Sequence, residues 1–185
     1  MQKIMRYTLL TGLLFAASAG AHQIQAGQIL PQVAVSDKGE IVLNNADVAY
    51  QSWSSSGLPG KVRVVQHFAA RTAAKEKNQA LVDAIKGAHF NAAKYQTTSI
   101  INADDAVIGT GMFVTSSAEK GKKENAHSQV VLDAKGAVKK AWGLREKDSA
   151  IILLDKTGKV QFVKEGQLTA AEVQEVIERI KQLSQ

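Results

Sequence analysis

The stretch DSAIILLDKTGKVQFVKEGQLTAAEVQEVIERI, Asp148 to Ile180, decides the fold. Leu153-Leu154 end an apolar strand, and Asp155-Lys156-Thr157-Gly158 form a tight turn with glycine at the left-handed position. Val160 opens the returning strand of a hairpin. Thr169 and Glu172 then stand three apart as a capping box, and Leu168 can staple onto Val173. The helix that follows turns a stripe of Val173, Val176, Ile177, Ile180 and Leu183 inward.

Working outward, Val131 to Val138 repeats the apolar-apolar-Asp-x-x-Gly-x-Val pattern of Leu153 to Val160. The same turn chemistry used twice explains this without a duplication. Val62 to Phe68 is a β-branched run, which suits a strand buried on both faces. Thr72 is placed to cap a helix through Ala74, Leu81, Val82 and Ile85, with Gly87 as its stop. A second strand, Tyr95 to Ile101, completes a βαβ unit, so the two strands run parallel with a right-handed crossover. Asn102 to Ala126 reads as a loop to Gly111 and a helix from Met112. Residues 22–60 are polar and turn-rich, with a hairpin expected about Ser36-Asp37-Lys38-Gly39. The class is α/β, a mixed sheet covered on both faces.

Lys3 and Arg6 precede the apolar run Tyr7 to Ala17, which ends in Ala19-Gly20-Ala21. A basic, apolar, small-residue order is that of a secretory signal peptide, 1–21, and the run is too short for a spanning helix. Residues 22–185 then form one exported, periplasmic domain. No later apolar stretch approaches the ~20 residues of a membrane span. Losing the leader removes two charges from a net +6. The rest is spread along the chain, and the cluster Lys120, Lys122, Lys123 is diluted by Glu119 and Glu124, so no nucleic-acid footprint is expected. The chain has no cysteine, which excludes disulfides, thiol catalysis, Cys-ligated zinc and iron–sulfur chemistry.

Three segments, VRVVQHFAARTAAK (62–75), QVVLDAKGAVKKAWGL (129–144) and the opening stretch, resemble the thioredoxin superfamily in its secreted branch related to TlpA and the alkyl-hydroperoxide reductases. The chain from residue 22 onward also resembles the YtfJ family of small periplasmic proteins. The resemblance implies a thioredoxin-like three-layer α/β/α sandwich with an N-terminal hairpin extension. It also implies that Thr72-Ala73-Ala74-Lys75 occupies the C-x-x-C position, with Thr72 and Lys75 at the two sulfurs and Ser149 where the facing proline stands. Thiol–disulfide exchange is therefore chemically closed to this chain.

The site that follows from this resemblance is a corner of Arg71, Thr72, Lys75 and Ser149, a binding position for a peptide or protein segment. Strand addition beside Ser149, where a backbone N–H replaces proline, is one expected mode. A carboxylate or phosphate at the helix N-terminus is another, with Arg71 assisting. The expected role is a secreted, non-redox binding module rather than an enzyme, with no cofactor. The competing reading is an enzyme or a copper-binding protein using His22, His67 and His127, in the enzyme's case with Asp104 or Asp105. His22 would chelate metal through its imidazole and a freed N-terminal amine. No HExxH pattern supports a zinc site, and His67 on its strand reads as a core histidine. Gly109-Thr110-Gly111 lacks the rest of a phosphate loop. Trp142 should pack the core, whereas Tyr50 and Trp53 are candidates for an interface.

Overall fold

The computed structural model describes residues 22–45 and 47–185, so the leader expected at 1–21 lies outside the described residues. The opening stretch forms β6 (Ser149–Leu154), β7 (Val160–Glu165) and α5 (Ala170–Leu183). Every residue of β6 is buried. At the turn, the Asp155 carboxylate accepts from Thr157 N at 2.8 Å, Lys159 N at 3.1 Å and Gln161 Nε2 at 2.8 Å, and Gly158 sits at φ 85°. The capping box is present: Thr169 N donates to Glu172 Oε2 at 2.7 Å and Glu172 N to Thr169 Oγ1 at 3.3 Å.

Asp133 shows why one turn pattern gives two outcomes. Its carboxylate accepts from Ala137 N and Val138 N, both at 2.9 Å, and so caps a helix. Gly136 takes the expected left-handed conformation, φ 63°, but the chain beyond it becomes α4 (Ala137–Trp142) instead of a strand.

The sheet has seven strands in the order β2-β1-β5-β4-β3-β6-β7. These include β1 (Ala34–Asn44), β2 (Asp47–Ser54), β3 (Val62–Ala69), β4 (Tyr95–Asn102) and β5 (Gln129–Asp133). β3 and β4 run parallel, as do β4 and β5; the remaining pairs are antiparallel. One face carries α1 (Thr72–Glu76), α2 (Gln79–Ala88), α3 (Gly111–Glu124) and α5, over a core of Val64, Leu81, Ile151, Val176 and Ile180. The other face carries α4 and the N-terminal segment, with Trp53, Val65, Ile100 and Trp142 between. This is the three-layer sandwich expected from the sequence.

Two local expectations are corrected. The N-terminal hairpin does not turn at 36–39; β1 runs through those residues as a bulge, and the chain turns back into β2 only after Asn44. The bulge changes the pleat, so Val35 and Ile41 enter different cores although six residues apart. Gly39, at φ 78°, lies where a Cβ would come within 2.1 Å of Gln51 O. The first helix also differs. Arg71, not Thr72, holds the N-cap position, and the Thr72 side chain makes no capping bond. The helix breaks at Lys77-Asn78, where Asn78 N turns to Lys75 O and Lys77 Nζ reaches Asp148 Oδ1 at 2.6 Å. α2 runs past Gly87 and ends at His89 in the left-handed conformation, φ 47°.

Thr169→Ala removes the hydroxyl acceptor at the N-cap and should cost about 1 kcal/mol. The check is urea denaturation: the midpoint should fall with an unchanged slope, and an unchanged midpoint would contradict the role given to the cap.

Candidate functional site

The corner lies where β3 and β4 end. Ala69 N donates to Asp148 O at 2.9 Å and Ala70 N to Asn102 O at 2.9 Å, which leads the chain from β3 into α1. Arg71, Thr72 and Lys75 line one cavity of ≈ 550 Å³, floored by Phe68 and Ile101 and walled by Phe113. Arg71 is not free to hold an anion with its whole fork, because its Nε donates to Asp105 O at 2.6 Å. Thr72 and Lys75 are exposed.

Ser149 does not line this cavity. It is 1% exposed, opposite Phe68 on a strand held between β3 and β7, and its Oγ has no partner among the described residues. Strand addition beside it is therefore corrected. β6 is interior, the sheet's edges are β2 and β7, and Ser149 N already donates to Asp148 Oδ1 at 2.8 Å. α1 has only five residues, too short to present a helix dipole to an anion.

Beside the cavity, which Val107 and Phe113 line, is an apolar exposure that the sequence reading missed. Ile108 is 101% exposed, Met112 82%, Phe113 74% and Val107 50%. Among the described residues only Ile29 joins them as an exposed large hydrophobic side chain. Scattered singly such residues need no explanation, but four of five in the run V-I-G-T-G-M-F form a patch. The signal was present in that run, where two glycines drew attention to phosphate binding instead.

Behind the corner lies a buried polar cluster. Lys139 Nζ meets Asp105 Oδ1 at 2.8 Å, while Asp105 Oδ2 accepts from Asn102 Nδ2 and Lys147 N, each at 3.0 Å. Burial pushes the Asp105 carboxyl up, and the Lys139 ion pair with the Lys147 N–H more than reverses it, so it titrates below the usual carboxylate range. His67 is buried close by, and burial pulls its pKa down to about 4 despite the opposing Asp105 charge. Its Nε2 has no partner among the described residues, so it is a core histidine left partly unsatisfied.

The histidines of the competing reading lie apart. His22 is half-buried beside Gly143, His67 is inside β3, and His127 is exposed just before β5. No group of three or more His, Asp or Glu side chains among the described residues is placed to hold a metal ion. Asp104 and Asp105 face Lys139, not His127. Trp53 and Trp142 are both core residues, so Trp53 presents no interface, while Tyr50 is half-buried and donates to Glu119 Oε1 at 2.7 Å.

Comparison with known proteins matches residues 24–183 to the family described as "Bacterial protein of unknown function (YtfJ_HI0045)". An uncharacterized protein of Haemophilus influenzae is 61% identical over 176 residues, covering 95% of this chain and 96% of that protein. The Escherichia coli uncharacterized protein YtfJ is 48% identical over 174 residues, covering 94% and 95%. Among solved structures, a proposed protein disulfide isomerase of Bacteroides thetaiotaomicron superposes with TM-score 0.62 at 16% identity, covering 88% of this chain and 92% of that one. A thiol-disulfide isomerase of Corynebacterium glutamicum gives 0.57 at 20% identity, covering 86% and 97%. The fold is therefore thioredoxin-like, and this chain has it without a thiol.

Asp105→Ala leaves Lys139 buried without its partner and should cost about 3 kcal/mol. Urea midpoints at neutral pH measure this, and a loss below about 0.5 kcal/mol would deny the pair its role. His67 sets a pH dependence. The unfolded chain takes up its proton near pH 6.5 and the folded chain only near 4, so its contribution is complete above 6.5 and is lost as pH falls to 4. A shift of this size corresponds to about 3 kcal/mol. Stability measured across that window should fall in the parent protein and flatten in His67→Gln; parallel curves would contradict the assignment.

Proposed function

The chain belongs to the YtfJ_HI0045 family of bacterial proteins, and we propose that it is an exported, non-redox binding module. The module takes a protein or peptide segment at the corner where thiol-bearing relatives of the fold do their chemistry. The observation that carries this reading is the mouth: exposed Val107 and Phe113 line a ≈ 550 Å³ cavity together with Arg71, Thr72 and Lys75, and their chain neighbours Ile108 and Met112 are exposed beside them. Keeping these side chains in water is unfavourable by roughly 25 cal/mol per Å² of apolar surface, and a partner that covers them removes that cost. Concave apolar ground with a few polar groups at its rim is how proteins hold an anchoring side chain.

The disulfide isomerase named among the structural neighbours describes that protein's chemistry. Here the two sulfur positions hold Thr72 and Lys75, and neither supplies a thiolate. Among the candidate residues, Thr72 and Lys75 contribute the polar rim, and Arg71 fixes the loop that carries the mouth. The leader Met1 to Ala21 supports export to the periplasm, with His22 as the new N-terminus.

Photo-crosslinking from Met112 in cells that export the protein tests the binding role. A discrete adduct from position 112, absent from position 159 and reduced about fivefold or more by Phe113→Asp, is expected for a hot-spot anchor. Equal labelling at both positions, or none at 112, would contradict it. N-terminal sequencing of the exported protein should begin at His22, and a retained Met1 would contradict export with cleavage.

A further inference from the structure

The corner cavity does not end at the corner. It shares Phe68, Gln79 and Ser117 with a second cavity of ≈ 410 Å³, which in turn shares Ile85, Thr97 and Ser128 with a third of ≈ 370 Å³. Together they make one trench along the face of β4, the middle strand of the sheet. From Ile101 to Tyr95 is six residues of strand, about 20 Å.

The trench is open because its two walls lean away from each other. α2 packs toward α5, through Leu81 with Val176 and Ile180. α3 packs toward β1 and β5, through Ala118 with Ile41 and Val130, and is fixed further by Tyr50 on Glu119 and by Lys122 on the carbonyls of Ala126 and Ser128. Between them the middle of the sheet is floored by the half-buried Gln66, Thr97 and Ser99.

Gly121 stands in the last turn of α3 and lines the trench. Glycine within a helix costs about 1 kcal/mol relative to alanine. No close packing compensates, since a Cβ built on Gly121 would meet nothing within 4 Å, and its φ is not in the left-handed range. What the missing side chain leaves is room in the trench.

The chemistry changes along its length. The corner end has an apolar floor and wall of Phe68, Ile101 and Phe113 beneath a rim of Arg71, Thr72, Lys75 and Glu76. On the floor, Ser99 Oγ accepts from Gln66 Nε2 at 2.7 Å, which leaves its own O–H to donate. The far end is lined by Lys61, Lys86, His89 and His127 with no carboxylate, whereas Glu124, paired with Lys120, lines the second cavity and Glu76 the corner cavity. Lys61 Nζ donates to Ala92 O, whereas Lys86 has no ion-pair partner among the described residues.

The geometry points to an extended peptide of about six residues as the occupant of this trench. One end is an apolar residue in the corner cavity, the middle is polar, and an acidic residue lies against Lys86 and Lys61. The length, the hydroxyl donor on the floor facing main-chain carbonyls, and the uncompensated positive charge at the end remote from the corner carry the assignment. It rests on the corner being a binding site and adds the register and charge of what binds.

The test starts from an array of heptapeptides with an apolar residue at one end, Ser, Thr, Asn or Gln in the middle, and Asp or Glu at the other end, made in both chain directions. Each has a twin with Lys in place of the acid. Anisotropy of the best-binding labelled peptide is then read against the parent protein, Gly121→Leu, Lys86→Glu and Phe113→Asp. Gly121→Leu should weaken binding about tenfold or more by filling the trench, with thermal stability equal to or above the parent's. Lys86→Glu should weaken the acidic peptide about tenfold and strengthen its Lys twin, a reciprocal exchange that misfolding does not produce. Binding unaffected by Gly121→Leu and Lys86→Glu, no preference for the acid, or no binding by any peptide on the array overturns the trench. If Phe113→Asp alone weakens the peptide, the corner stands and the trench falls; if Phe113→Asp also has no effect, both fall. A concentration-dependent dimer broken by Gly121→Leu would assign the trench to a second copy of the chain and overturn the peptide.

Discussion

Asp105 is where the corner is held together. Its carboxylate meets Lys139 at 2.8 Å with about a tenth of either side chain exposed, and accepts from Asn102 and the Lys147 N–H. Its backbone carbonyl takes the Arg71 guanidinium at 2.6 Å. One residue thus ties the end of β4 to α4, to the loop before β6 and to the entrance of α1. A buried ion pair stabilises little by itself, because desolvation offsets most of its Coulomb energy. Its effect is positional. With Asp105 fixed, the residues that follow it leave the sheet and carry Val107 to Phe113 over the corner.

On the proposed reading, the corner where thiol-bearing relatives of the fold do their chemistry serves here as a contact site. In this thioredoxin-like fold the strand-to-helix turn after β3 points at the C-terminal end of the sheet, where α/β proteins hold their ligands. Here Thr72 and Lys75 stand at that turn with no thiol. On that reading the apolar run at the corner and the open floor of β4 are the contact surface. The same constraint explains the trench, because α3 starts from the mouth and packs outward onto β1 and β5, away from α2.

Much of the fold was legible because its signals are local. The hairpin and capped helix of 148–180, the βαβ unit from Val62, and the helix after Met112 each declare themselves within a few residues. Where the reading failed, the deciding contacts were distant. The turn at 36–39 is a bulge because Gly39 packs against Gln51 across the strand. The first helix breaks because Lys77 pairs with Asp148, 71 residues away. Arg71, Thr72 and Lys75 were set at the turn after β3 by the resemblance, and the structure places them on one cavity. Ser149 was placed correctly along the chain, but its burial depended on β6 being interior to the sheet. Asp105 with Lys139 joins residues 34 apart, and the trench depends on how two helices lean, which no stretch of sequence encodes alone.

The central claim is that the apolar mouth is a contact surface, and the chain offers a single reporter of it. Without the leader, Met112 is the only methionine. A protein of residues 22–185 labelled with ¹³C at the methionine methyl should give one methyl signal, and titration with the best-binding heptapeptide should shift or broaden it saturably. A methyl signal unchanged at peptide concentrations that saturate binding would place the contact elsewhere and contradict the account.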